Sequence, residues 1–238
     1  MTSRILTGAL IAGLAAGFLA ALLNLWMLTP LILEAEVFEG AAGHTHAGEA
    51  ETHTHEDGTE HAHEATEEPG GLARTFGTVT MTLVAYAGFG LVLGAAMSAA
   101  ARTGHRIDAR AGLLWGFAGF AAVQLAPAVG LPPELPGMEA AGLGARQAWW
   151  VLCVGFTALG LAAMAFGRGL PWLAVGAVLI LLPHAFGAPQ PPTHDGLVPP
   201  GLAAAFATRS LGVAALSWAF LGVLSGALSE RAPARRTA

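Results

Sequence analysis

The sequence predicts an all-α integral membrane protein, a bundle of about six transmembrane helices. Its 238 residues are 54% hydrophobic and only 11% charged, whereas about a quarter of the residues in a typical soluble domain are charged. Six apolar runs are long enough, or nearly so, to cross a hydrocarbon core of about 30 Å. Because these runs extend along the whole chain, residues 1–238 are expected to form a single transmembrane domain.

The six predicted spans are separated by short loops and one long polar segment. They lie near 5–29, 76–100, 111–130, 148–167, 170–187 and 203–228. The fifth is the shortest and follows the fourth after only Gly167, Arg168 and Gly169, so a bundle of five spans is the alternative. The first run is about 24 residues long and has no Ala-x-Ala site, which favours an uncleaved helix over a signal peptide.

The arginines indicate the orientation of the bundle. All eleven basic residues are arginines. With six spans and both termini in the cytoplasm, eight arginines are cytoplasmic, and only Arg74, Arg146 and Arg209 lie on or toward the outside. Short cytoplasmic loops carry the excess of basic residues in membrane proteins, which favours this topology. Five spans would place Arg235 and Arg236 outside, in poorer agreement with that rule.

The segment 34–71 is the main polar feature of the chain. It holds six of the nine histidines and eleven carboxylates, and it has no apolar periodicity. This composition predicts an extracytoplasmic His/Glu-rich loop that is disordered without a ligand. The histidines form three His-x-His pairs: His44 with His46, His53 with His55, and His61 with His63. In an extended chain the two members of a pair point to the same side and can bind one ion.

The donor set of this loop favours divalent transition metals. Imidazole with carboxylate suits cobalt, nickel, zinc or copper, and affinities follow the Irving–Williams order, so the loop does not select cobalt by itself. We expect it to concentrate ions at the outer face rather than to form the selective site. The alternative is a solvated acidic loop that binds no metal, and the regular pairing of the histidines favours metal binding.

Polar residues also occur within the spans that run outward. Asn24 and Gln124 lie toward the outer ends of the first and third spans, each followed by a proline. Prolines free a backbone carbonyl, and interrupted helices line ion paths in transporters, so both residues are possible pathway residues. Hydrogen bonding between packed helices is the alternative role. The similar segments 13–18 (GLAAGF) and 112–117 (GLLWGF) suggest a duplicated hairpin.

A cluster of candidate ligands is predicted at the outer rim. Glu34 and Glu36 follow the first span, and His184 lies at the outer end of the fifth, so together they are expected to form an anionic vestibule for a divalent ion. A solvated rim is the alternative. Arg209, in the last span, either snorkels outward or pairs with a vestibule carboxylate. Cys153 lies in an apolar stretch without Cys or His spacing, which favours a buried core residue.

Several motifs resemble one known family. They are 30–36 (PLILEAE), 71–75 (GLART), 112–116 (GLLWG), 124–127 (QLAP), 130–137 (GLPPELPG), 147–150 (QAWW) and 183–191 (PHAFGAPQP). In these blocks, which cover nearly the whole chain, the sequence resembles the CbtA family of cobalt transporter subunits. The resemblance implies Co²⁺ import across the inner (cytoplasmic) membrane of a prokaryote, a link to cobalamin biosynthesis and a small one-span CbtB-like partner. The family is often described with five spans.

The functional prediction combines these features. We expect the membrane subunit of a cobalt uptake transporter, with Ni²⁺ or Zn²⁺ as other candidate ions, in which the outer loop captures the ion. The alternative is a membrane metal sensor or accessory protein that does not conduct. The chain contains no P-loop, no lysine and no HExxH motif, so we expect no enzyme activity, no cofactor and no nucleic-acid partner. The expected partners are the lipid bilayer, the divalent ion and the one-span subunit.

Overall fold

The computed structural model describes residues 2–43, 71–193 and 196–230, and every regular element within these ranges is a helix. The elements are α1 (Thr2–Leu23), α2 (Thr29–Gly43), α3 (Gly71–Arg102), α4 (Ala109–Phe120), α5 (Ala126–Ala128), α6 (Leu143–Phe166), α7 (Leu170–Phe186) and α8 (Pro200–Glu230). Two π-helical turns join α1 to α2 (Asn24–Leu28) and α4 to α5 (Ala121–Leu125). The predicted all-α membrane fold is confirmed.

The long helices pack antiparallel through small residues. A Cβ atom on Gly13 of α1 would lie 2.6 Å from the carbonyl oxygen of Tyr86 in α3. In the same way, Gly112 of α4 lies directly against the backbone of Gly222 in α8. Such contacts let helix backbones approach closely in a membrane, where dispersion replaces the hydrophobic effect as the driving force. They place residues 2 and 230 at one end of the bundle, the terminal end, and the start of α3 at the other, the loop end.

Five helical segments are long and apolar enough to cross a membrane, and α7, with 17 residues, is shorter. Helix α6 reaches the terminal end, where the ring of Phe166 lies 5.0 Å from that of His105. Near the loop end, Trp149 of α6 donates a hydrogen bond to the carbonyl of Pro183 in α7. Helix α7 therefore runs between the two ends of the bundle, as the predicted fifth span does.

The first helix is longer than predicted. It continues through the π turn to Gly43 instead of ending near residue 29, so Glu34 and Glu36 lie on α2 and the loop does not start at residue 34. Pro30 does not end the helix, because the preceding turn is already widened. The Asn24 carbonyl accepts hydrogen bonds from both the backbone N–H and the hydroxyl of Thr29. A proline next to a π turn is one of the recognised causes of an irregular but continuous membrane helix.

The charges at the terminal end form a small group beside the start of α4. The Asp108 carboxylate accepts the backbone N–H of Ala111 at 2.8 Å and caps the helix. This hydrogen bond, together with the nearby Arg106, holds the pKa of Asp108 below its usual value. Arg106 also donates to Glu230 at the end of α8, at 3.1 Å. The start of α4 and the end of α8 are therefore joined by charge as well as by glycine packing.

Candidate functional site

The larger of two cavities near the loop end, called the Gln124 cavity, has a volume of about 400 Å³. It lies between the second π turn, the 131–134 loop, the start of α6 and the outer half of α8. Its polar lining residues are Gln124, Glu134, Arg146, Gln147 and Ser210. Polar side chains at membrane depth are costly unless they serve a ligand or each other, so this cavity is a functional candidate.

Two residues that line this cavity each carry a buried oxygen atom without a partner. The Oε1 atom of Gln124 and the hydroxyl of Ser210 are buried, and neither makes a hydrogen bond within the part of the chain that the structure describes. A buried polar group without a partner costs about 1–3 kcal/mol. Two such groups, on different helices, add to the cost of packing the bundle at this point, although neither atom is accessible from the cavity.

An ion pair lines the loop-end side of the same cavity. Arg146, in the first turn of α6, donates to the Glu134 carboxylate at 2.7 Å. The two side chains are 30% and 21% exposed, so water screens the pair only partly. Each charge therefore compensates the other, and the empty cavity contains no unpaired carboxylate.

The π turn beside this cavity is held by an indole. Pro127 has no N–H, so the Val123 carbonyl four residues earlier lacks its usual partner within the helix. Trp150 of α6 donates its indole N–H to that carbonyl at 3.2 Å. The freed carbonyl is thus used to fix α6 against the second π turn, and it is not an available ion ligand.

A smaller cavity of about 240 Å³, the Asn24 cavity, lies between the first π turn and the start of α3. Its polar lining residues are Asn24, Thr29, Arg74, Thr75 and Thr78. The Arg74 guanidinium makes two hydrogen bonds to the carboxylate of Glu36, one of them at 3.0 Å. Each cavity is therefore lined by an arginine that pairs with a glutamate following the preceding π turn, and only Glu134 of the two glutamates belongs to a lining.

The two cavities are built from equivalent positions. Asn24, Leu25, Leu28, Thr29 and Ile32 have the same spacing as Val123, Gln124, Pro127, Ala128 and Leu131, and Arg74, Thr75 and Thr78 have the same spacing as Arg146, Gln147 and Trp150. Gly13 and Gly112 precede the two sets by equal distances along the chain. Because α1 and α4 run in the same direction, the repeat is parallel, related by an axis along the membrane normal. The duplicated hairpin suggested by the sequence thus has a structural counterpart.

His184 lies away from both cavities, beside α6. Its Nε2 atom is 3.9 Å from the sulfur of Cys153, and its ring meets that of Trp149 edge to face, 5.8 Å between centroids. Cys153 is fully buried, as predicted, but the sequence did not indicate that it has a histidine neighbour. Thiol and imidazole are both ligands of transition metals, so the pair adds a second polar feature at membrane depth.

The structure distributes the predicted vestibule residues among different contacts. Glu36 pairs with Arg74, Glu34 is exposed on α2, and His184 lies beside Cys153. Within the described ranges, no three His, Cys, Asp or Glu side chains come close enough to bind one metal ion. A preformed vestibule site is therefore not found there, and metal binding by each residue remains a prediction.

The other predicted residues have mixed outcomes. Asn24 and Gln124 both line cavities. Arg209 is exposed on α8 and makes no ion pair with the carboxylates that the structure describes. The six loop histidines, His44, His46, His53, His55, His61 and His63, lie outside the described residues.

Sequence reasoning missed four residues of these sites, namely Glu134, Arg146, Ser210 and Cys153. A signal for the first two was present, because each repeat carries a glutamate after its proline and an arginine in the first turn of the next helix. Ser210 gave no signal, since a serine in a membrane helix commonly bonds to its own backbone. Only the packing of α8 places Ser210 in the lining of the same cavity as Gln124.

Comparison with known proteins gives one match. A family model described as "Probable cobalt transporter subunit (CbtA)" matches residues 2–230, nearly the whole chain. No curated protein and no solved structure matches the sequence. The family match agrees with the resemblance that the sequence motifs indicated.

Proposed function

The chain belongs to the CbtA family of probable cobalt transporter subunits, and we propose that it is the conducting subunit of a cobalt uptake system in the inner membrane of a prokaryote. The observation that carries this proposal is the Gln124 cavity, whose lining includes the polar residues Gln124, Glu134 and Arg146 within an apolar bundle. Ionisable and polar groups in such positions are characteristic of ion paths. A protein that only sensed metal outside the membrane would not need them.

The direction of transport follows from the charges. The described arginines of the terminal end, Arg102, Arg106, Arg110 and Arg168, assign that end to the cytoplasm by the distribution of basic residues. The loop end is then extracytoplasmic, and we propose that the His/Glu-rich segment, which connects α2 to α3 in the sequence, belongs to that side. We propose that its His-x-His pairs capture the ion and deliver it to the outer rim, where Glu34, Glu36 and His184 remove part of its hydration.

Transport also needs a source of energy and a partner. No P-loop motif occurs in the sequence, so coupling is assigned to a partner, an ion gradient or the membrane potential. Membership in a family of transporter subunits implies that other chains take part. We propose a small one-span, histidine-bearing CbtB-like subunit as that partner.

The test is uptake of radioactive Co²⁺ into proteoliposomes, with and without the candidate one-span subunit, in competition with Ni²⁺ and Zn²⁺. We expect saturable accumulation that prefers Co²⁺ over Ni²⁺ and Zn²⁺. A second arm replaces the six loop histidines with glutamine, and we expect the half-saturating concentration to rise while the maximal rate is retained. Binding without accumulation, under every partner and gradient, would reject conduction and favour the sensor.

A further inference from the structure

Three arginines of the described residues lie near the loop end, and two of them are paired. Arg74 bonds to the Glu36 carboxylate, with one hydrogen bond at 3.0 Å, and Arg146 donates to Glu134 at 2.7 Å. Arg209 of α8 is exposed and makes no ion pair with the carboxylates that the structure describes. Of these three arginines, Arg209 alone lacks a carboxylate partner within the described ranges.

Arg209 lies within the span of α8 and not beyond it. Helix α8 has 31 residues and is therefore about 46 Å long, whereas the hydrocarbon core is about 30 Å thick. Arg209 follows Pro200, the first residue of α8, by about 14 Å along the helix. With α8 centred in the bilayer, about 8 Å project on each side, so Arg209 lies about 6 Å inside the core. Snorkelling relieves part of the cost of a charge at this depth, and a charged partner relieves more.

A strip of small residues, called the α8 strip, lies beside this charge. It consists of Ala204, Thr208 and Gly212, which are four residues apart on one side of the helix and are all exposed. A Cβ atom on Gly212 would meet no heavy atom within 4 Å among the described residues. Small residues at this spacing let a second membrane helix approach closely. The outer half of α8 therefore combines room for a helix with an unpaired charge.

Exposed strips elsewhere in these helices have a different composition. The exposed positions of α1 at the same spacing are large and apolar: Leu10, Leu14, Phe18 and Leu22. The inner half of α8 also exposes large apolar residues: Leu216, Phe220 and Val223. Such side chains suit contact with lipid tails, which are as apolar as leucine. The contrast indicates that the outer half of α8 contacts protein and that the other strips contact lipid.

The chemistry of this surface defines its partner. The small residues fit a transmembrane helix, and Arg209 requires that this helix bear an aspartate or glutamate near its outer end. A second copy related by a two-fold axis through the α8 strip would bring Arg209 close to its own equivalent, and like charges disfavour that contact. A lipid phosphate would satisfy the arginine but would not need the small residues. The match to a family of transporter subunits implies that other chains take part.

We propose that the outer half of α8 is the docking surface for a transmembrane helix of a partner subunit, whose carboxylate pairs with Arg209. The inference rests on the proposed function as a transporter subunit and locates the contact with the partner. The α8 strip lets the two helices approach, and the ion pair fixes the depth of the partner helix in the membrane.

The test is recovery of a tagged candidate one-span subunit that is co-expressed with the full chain and purified in a mild detergent. Arg209→Gln removes the charge and Gly212→Leu fills the α8 strip, so we expect each to lower the recovered complex at least about fivefold. The matched controls are Arg106→Gln, at the terminal end, and Gly155→Leu, at an exposed glycine of α6 with open space beside it. We expect each control to change the recovery by less than about twofold, because neither position touches the proposed surface.

Reversal of the charges tests the ion pair directly. Arg209→Glu is expected to abolish the complex, and changing one carboxylate near the outer end of the partner's span to arginine is expected to restore it. A complex that survives Arg209→Gln, as a lipid phosphate partner predicts, overturns the proposal. So does the absence of a complex with the unmodified chain, or a failure of every such reversal to restore it.

The stability of the chain without its partner separates docking from an internal role. We expect Arg209→Gln to leave the unfolding temperature of the chain alone unchanged. A lower unfolding temperature together with loss of the complex would assign Arg209 to a carboxylate of its own chain and overturn the docking surface. A complex with the expected sensitivity but no Co²⁺ uptake in proteoliposomes would retain the surface and reject transport. Uptake with a complex that is insensitive to these substitutions would reject the surface alone.

Discussion

At the scale of single residues, His184 is a functional candidate from the sequence whose neighbours only the structure identifies. Its place after a proline near the end of an apolar run identified it from the sequence. The contact with Cys153, and the hydrogen bond from Trp149 to the Pro183 carbonyl, arise because α6 and α7 pack side by side. The histidine ring is thereby held against a thiol and an indole on α6, and not beside the carboxylates of α2.

The His184→Gln substitution tests the role of this residue in passage of the ion. We expect cobalt uptake at equal expression to fall about tenfold, within the range observed when residues that ligate or support a metal are lost. His105→Gln is the matched control, because that histidine is exposed at the terminal end, where its ring hydrogen-bonds to Thr103 and contacts Phe166. Uptake equal to that of the unmodified chain would remove His184 from the path.

At the scale of elements, the two π turns explain why the sequence placed the end of the first helix too early. In a regular α-helix, Pro30 would disrupt the helix, because it has no N–H and its ring clashes with the preceding turn. The widened turn before it, in which Thr29 reaches back to Asn24, lets the helix continue to Gly43. The second π turn lies just before Pro127, and π turns inside α-helices are frequent at functional sites. Both lie beside cavities here.

The α4–α8 contact is the element-scale feature most sensitive to substitution. A Cβ atom on Gly222 would lie 2.7 Å from the Gly116 Cα and still closer to the Gly112 carbonyl oxygen, so the helices must separate. We expect Gly222→Ala to lower the free energy of unfolding by about 1–3 kcal/mol. Gly212→Ala, in the same helix but with nothing near its Cβ, is the control.

Unfolding in mixed detergent micelles, followed by circular dichroism, measures both glycine variants. The free energy of unfolding of the Gly212→Ala control is expected to equal that of the unmodified chain or to be slightly higher, since alanine favours helix. Equal stability of the two variants would contradict the close α4–α8 packing.

At the scale of the whole molecule, the path of α7 decides the topology. Five helical segments have the length of a span, which by itself suggests that the two termini lie on opposite sides. Helix α7 is only about 26 Å long, yet it connects the terminal end of α6 with the loop end, where α8 begins. Its length lies at the lower limit for a transmembrane helix. We therefore propose that the chain crosses six times and returns to its starting side.

Thiol labelling of single-cysteine variants tests this topology. In a Cys153→Ala background, Ser229→Cys is expected to react only with reagent on the cytoplasmic side, and Glu139→Cys only with impermeant reagent outside. Both positions are exposed at opposite ends of the bundle. Labelling of both from the same side would contradict the six-span arrangement, and Thr103→Cys is the control for the cytoplasmic side.

The sequence by itself determined the class of the molecule. Apolar runs, few charges and the arginine distribution predict helices that cross a bilayer, because every backbone group in hydrocarbon needs an internal hydrogen bond. The sequence also predicts the repeat and two polar positions, Asn24 and Gln124, because each of these features is visible within a short stretch of the chain.

Only the tertiary structure decided which polar groups meet. Gln124 and Ser210 line one cavity, Glu134 pairs with Arg146, and His184 lies beside Cys153. The contacts of Gln124 and His184 join helices that are distant in the chain, and all three depend on the angles and spacing set by glycine packing and the π turns. Periodicity shows which face of a helix is polar. It contains no information about which helix will lie against that face.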